Sequence, residues 1–183
     1  MGEETRMERA KAMFLKYNGS RFHMDREGDG AEYDRYHISK ETEDMWVEEL
    51  VASLLESKMQ GREALRAYAS VAELLNGGRQ DEEWDACLLY PLRAERLDDV
   101  TALYMLPFSL RMAERAARKQ RFSRADAAAY LHELDGYIQL VQSRVEQGAL
   151  TRAADYEMQE FSDPVYIADY LNDLKEKWSR LLR

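Results

Sequence analysis

Apolar residues return every three or four positions along most of this chain, the spacing that lines one face of an α-helix. The first run holds Met7, Ala10, Met13, Phe14 and Tyr17. Thr5-x-x-Glu8 matches a capping box, in which side chains satisfy the amides that a helix start leaves unpaired. Asn18-Gly19 closes the run, since both residues tolerate the left-handed backbone of a helix stop. Ser39 is placed to cap a second helix, with Glu41, Glu43 and Asp44 near the positive end of its dipole. Its apolar face is Trp46 or Val47, Leu50, Val51, Leu54 and Leu55. Gly61 interrupts, Leu65, Tyr68, Val71, Ala72 and Leu75 resume, and Asn76-Gly77-Gly78 reads as a stop.

Asp81 reads as the cap of a fourth segment containing Trp84, Cys87, Leu88 and Leu89. Pro91 should limit it, because a proline inside a helix removes one backbone hydrogen bond and crowds the preceding turn. For the same reason residues 92–119 are expected as a kinked helix, or as two helices meeting near Pro107. Ser123-x-x-Asp126 opens a long helix with Ala127, Tyr130, Leu131, Leu134, Ile138, Val141 and Val145 on one face, ended by Gly148. Residues 149–161 suggest a short helix and a turn. Ser162-Asp163-Pro164 then starts a last helix, a capping side chain standing before a proline at the first helical position. No fixed-length repeat of the solenoid kind is present. The pattern predicts an all-α fold: a compact bundle of six to eight helices in a single domain over residues 1–183.

Residues 18–38 break the pattern. They are expected as one long irregular loop, aromatic and acidic, after the first helix. Such a segment in a compact domain is commonly a functional loop or a linker. This one carries Phe22, Met24, Tyr33, Tyr36 and Ile38, too much apolar surface for a linker. It should therefore be ordered and held on the bundle by Phe22, Met24, Tyr33 and Tyr36.

Composition narrows the function classes. Of the residues, 45% are hydrophobic and 33% charged, a globular balance. The one cysteine, Cys87, cannot form an intramolecular disulfide and sits in a helical segment as an inert buried thiol. Met1 to Arg9 is charged almost throughout, which fits no secretory leader. The longest uncharged run, Val100 to Leu110, is far short of the ~20 residues of a membrane span. A cytoplasmic protein away from the membrane is expected. The net charge of −9 makes nucleic acid an unsuitable partner, because that binding requires a cationic surface. Charge is also segregated. Residues 25–49 hold ten acidic and three basic side chains, a net of −7. Residues 111–124 hold six basic and one acidic, a net of +5.

Four patterns could carry chemistry. Asp25-x-Glu27-x-Asp29-Gly30 matches the first half of a calcium loop, but the closing glutamate position is Tyr36. His23 and His37, with Asp25 and Glu27, would make a mixed nitrogen and oxygen metal site if the loop folded back on itself. Arg111, Arg115 and Arg118 share one helical face that could hold an anion or a carboxylate-rich partner. Arg21, Phe22, Tyr33 and Tyr36 form an aromatic and cationic group of the kind favoured at interfaces. No nucleophile elbow or phosphate loop is visible, and no cofactor or tightly held metal is expected. The reading is a non-enzymatic protein-interaction or regulatory helical-bundle protein, of inhibitor or immunity type, that meets a protein partner or a second copy of itself. The alternative is a metal-dependent or anion-binding enzyme around His23, His37 and the neighbouring carboxylates.

Overall fold

The computed structural model describes residues 3–56, 60–75, 82–95, 97–120, 122–153 and 160–182. Among them the fold is all-helical, with nine α-helices. They are α1 (Glu3–Lys16), α2 (Arg21–Glu27), α3 (Gly30–Asp34), α4 (Lys40–Glu56), α5 (Gly61–Leu75), α6 (Glu82–Arg93), α7 (Asp99–Arg118), α8 (Arg124–Glu146) and α9 (Pro164–Ser179). The stop expected at Asn76-Gly77-Gly78 and the cap expected at Asp81 lie outside the described residues, as does most of the short helix expected in 149–161.

The chain forms two compact units, Met1–Ser53 and Leu54–Arg183. In the first, Ala10 and Phe14 of α1, with Tyr17 just after it, share a core with Met24, Tyr33, Trp46, Val47 and Val51. Phe14 lies 5.5 Å from the Trp46 ring and 6.4 Å from Tyr33. Asn18 and Gly19 both adopt positive φ, 49° and 67°, and stop α1 as their residue types predict. Helix α1 already begins at Glu3, so Thr5 lies within it and does not cap it. Ser39 does cap α4, its hydroxyl accepting from the Thr42 amide at 3.2 Å.

In the second unit α7 lies against α5 and α6, and α9 against α8. Tyr68, Leu103, Met105, Leu106, Leu134, Leu171 and Trp178 are among its fully buried side chains. Trp178 stacks on Tyr130 with ring centroids 3.7 Å apart and 13° between planes. Ser123 caps α8 in a full capping box with Asp126, as its spacing predicts. Asp163 caps α9 with Pro164 in its first turn.

Both internal prolines lie inside helices: Pro107 as the single-helix alternative allows, though that helix starts at Asp99 and not at residue 92, and Pro91 two residues before the end of the helix it is expected to limit. Pro91 lies within α6 and Pro107 within α7. A proline at position i leaves the carbonyl at i−4 without its amide donor, here Cys87 and Leu103. Each of these carbonyls accepts instead from a tyrosine hydroxyl on another helix. Tyr68 of α5 donates to Cys87 O at 3.0 Å, and Tyr170 of α9 donates to Leu103 O at 2.7 Å. Because the Tyr68 proton goes to Cys87, the 2.6 Å contact between Tyr68 and Ser109 has the serine as donor. The helices continue because the packing supplies what the backbone lost.

A second polar clasp sits at the start of α7. Asp99 is almost fully buried and pairs with Arg144 of α8. Its carboxylate also accepts from the Thr151 amide and hydroxyl, both at 2.8 Å. The Asp99 amide returns a bond to the Thr151 hydroxyl at 2.9 Å. This burial is tolerable because every charge is paired and hydrogen-bonded.

Candidate functional site

The stretch expected as an irregular loop, residues 18–38, holds two short helices. Ser20 caps α2, accepting from the His23 amide. Gly28, at φ 87°, ends it with its amide on the carbonyls of Asp25 and Met24. Helix α3 follows at once. The residue that turns the chain is thus Gly28, two positions before the glycine that a calcium loop would use. Gly30 instead begins α3, and a Cβ there would stand 1.9 Å from Oδ1 of Asp25. The Asp25 side chain leans over that glycine.

The helical backbone also redistributes the apolar residues. Met24 and Tyr33 are buried, and Tyr36 is half-buried. Phe22, expected as a core member, is 70% exposed. The physical reason is periodicity. In an extended loop residues 22 and 24 could face one way, but two residues along a helix amount to about 200° of rotation. Burying Met24 therefore turns Phe22 outward.

The remaining predicted residues are engaged with one another. Arg21 pairs with Asp34 at 2.7 Å and with Glu43 at 3.3 Å, and its guanidinium lies 4.2 Å over the Tyr33 ring. The Tyr33 hydroxyl donates to the same Glu43 oxygen at 3.0 Å. Burial, and then this bond to Glu43, push the Tyr33 phenol well above its ordinary range. Glu43 is itself buried and reaches Lys40 at 3.7 Å. Arg21 and Tyr33 are thus the counterparts of a buried carboxylate. Tyr36 donates to Glu32 at 3.0 Å, with Arg6 over its ring at 5.9 Å.

The acidic turn carries its own cation. The Lys16 ammonium donates to the Tyr17 hydroxyl at 2.6 Å and to Asp29 at 3.0 Å. The Tyr17 hydroxyl donates to Asp29 at 2.5 Å, with Glu27 3.2 Å away. The bonds from Tyr17 and then Lys16 hold the Asp29 carboxyl below the usual carboxylate range. The same contacts, Tyr17 before Asp29, raise the Lys16 ammonium above its ordinary value. His23 and His37 are both exposed. The His23 ring lies edge-on to the Phe22 ring at 5.6 Å, and His37 takes a left-handed backbone at φ 52°. Among the described residues no three of His, Cys, Asp and Glu gather in a way that could hold a metal ion.

In the second unit the basic face of α7 is partly paired. Arg115 meets Glu73 of α5 at 3.4 Å, and Arg118 meets Glu114 at 3.9 Å. Arg111 lies 4.4 Å over the Phe108 ring. Arg121 is outside the described residues. Arg111, Arg115 and Arg118 all remain exposed, each beside a carboxylate or a ring of its own unit.

Sequence reasoning missed the part of Glu43, which periodicity placed only as a dipole-complementing residue at the start of α4. It also missed Lys16, whose place at the end of the first apolar run gave no hint of Asp29. No protein family, curated protein or solved structure matches the chain. Among the described residues no helix is long and apolar enough to cross a membrane.

Proposed function

We propose that this chain is a non-enzymatic interaction protein that docks a protein partner through the outer face of α2. The exposure of Phe22 carries this reading. A phenyl ring left in water on a helix that is capped at both ends forgoes the ~1.5–3 kcal/mol that burial would return. Aromatic side chains on a fixed backbone are the usual anchors of protein interfaces. The support from its surroundings is that Arg21, Tyr33, Lys16 and Asp29 all serve the fold, whereas Phe22 serves no part of the first unit's core. An inhibitor- or immunity-type role is the version of this reading in which the partner is a cationic target.

The test compares wild-type protein and Phe22→Ala as baits in the source cells. The ring is mostly solvated, so the variant should keep its thermal midpoint, as surface changes fall within about 0.5 kcal/mol. It should lose at least one partner that the wild type retains. An identical set of partners for both baits would refute the α2 face as the docking surface.

A further inference from the structure

The charge around α2 specifies the chemistry of the partner. We infer, resting on the reading above, that α2 meets a protein surface of net positive charge with an apolar socket for the Phe22 ring. The unit Met1–Ser53 holds thirteen acidic and eight basic residues, a net of −5. The two arginines on α2 are already engaged, Arg21 with Asp34 and Glu43, and Arg26 with Glu27 at 3.4 Å. Asp25 is different. It stands one helical turn from Phe22, is exposed, and meets no cation among the described residues. Side chains three and four apart on a helix are neighbours, so Asp25 and the Glu27-paired Arg26 flank Phe22 in sequence, and with Oδ1 of Asp25 over Gly30 it is the net charge of the whole unit that a partner seating the ring would meet. A cationic partner surface would be drawn to this unit, whereas an anionic one would be repelled by it. The same charge disfavours RNA, DNA and anionic bilayers.

The experiment selects a phage-displayed random peptide library on the immobilised full-length chain and then measures the enriched peptides by fluorescence polarisation. The expected peptides carry Lys or Arg next to a cluster of apolar residues. They should bind Phe22→Ala at least about tenfold more weakly, the loss typical of a central aromatic anchor. They should also weaken as salt rises, and more steeply for wild type than for Asp25→Asn. Each other outcome is decisive. Peptides that depend on Phe22 but are neutral or acidic, or insensitive to salt, would overturn the cationic partner and leave α2 docking in place. Peptides that bind Phe22→Ala as well as wild type would overturn both. Failure to enrich any Phe22-dependent peptide would also count against the inference, because the socket chemistry lies well within what such a library contains.

Discussion

Replacing Tyr170 with phenylalanine tests whether a tertiary hydroxyl stands in for the amide that Pro107 lacks. The substitution keeps the ring and removes the 2.7 Å bond to Leu103 O. Leu103 is fully buried, so its carbonyl would be left without a protein donor. A buried polar group in that state costs about 1–3 kcal/mol. Carbonyls tolerate under-satisfaction better than amides, which places the expected loss in the lower half of that range, about 1–2 kcal/mol. The argument is sharper in a Pro107→Ala background. There the alanine amide can donate to Leu103 O along the helix, so Tyr170→Phe should cost under about 0.5 kcal/mol. The coupling in the double-mutant cycle should therefore be about 1 kcal/mol. Urea unfolding of the four proteins, followed by tryptophan fluorescence, gives the numbers, with Trp84 and Trp178 reporting on the second unit. An equal cost of Tyr170→Phe in both backgrounds would refute the reasoning, since the hydroxyl would then act independently of the proline.

Two further outcomes follow from the same accounting of polar groups. Tyr68→Phe should destabilise by about 1–3 kcal/mol, because it removes the bonds that the hydroxyl makes to Cys87 O and Ser109. Tyr130→Phe should cost less than Tyr68→Phe, since the buried Tyr130 hydroxyl has only the Ser109 hydroxyl near it and forms no well-aligned hydrogen bond among the described residues; equal losses in chemical denaturation would show that both hydroxyls are bonded. In the first unit, the lowered pKa of Asp29 means that its folded form resists protonation. Its contribution is therefore complete above the ordinary carboxyl pKa of about 3.9 and is lost as pH falls through the lower folded value. Lys16→Met should flatten this acid limb of the urea midpoint plotted against pH, and an unchanged limb would remove Lys16 from the network.

What was legible in the sequence were the long helices, because three or more turns give a period enough repeats to show. Helices α2 and α3, of seven and five residues, give too few. Their absence from the pattern made a helical segment look like a loop and placed Phe22 in the core with Met24. The caps at Ser39, Ser123 and Asp163 were readable because capping is a contact within three residues. Pro91 and Pro107 were legible only in part, for the opposite reason. The local rule for proline is sound, but the compensating donors lie on other helices, beyond any local pattern. Glu43 was likewise legible as a helix-start acid and illegible as the partner of Arg21 and Tyr33. The histidines were chosen by residue type alone, and nothing in their spacing required them to converge.

The two tyrosines that serve proline-vacated carbonyls also bear on the order in which the second unit can form. A chain segment corresponding to α7 alone cannot complete its own hydrogen-bond ladder, because the donor for Leu103 O arrives from 67 residues away. Helix α6 depends in the same way on α5, 19 residues away at the contact. These helices are therefore not prefabricated rods that later dock. Their middle turns become fully bonded only when their neighbours are in place, so backbone order and side-chain packing are gained together. Loss of α9 would be felt in the backbone of α7, in the turn around Leu103, as well as in the apolar surface it uncovers.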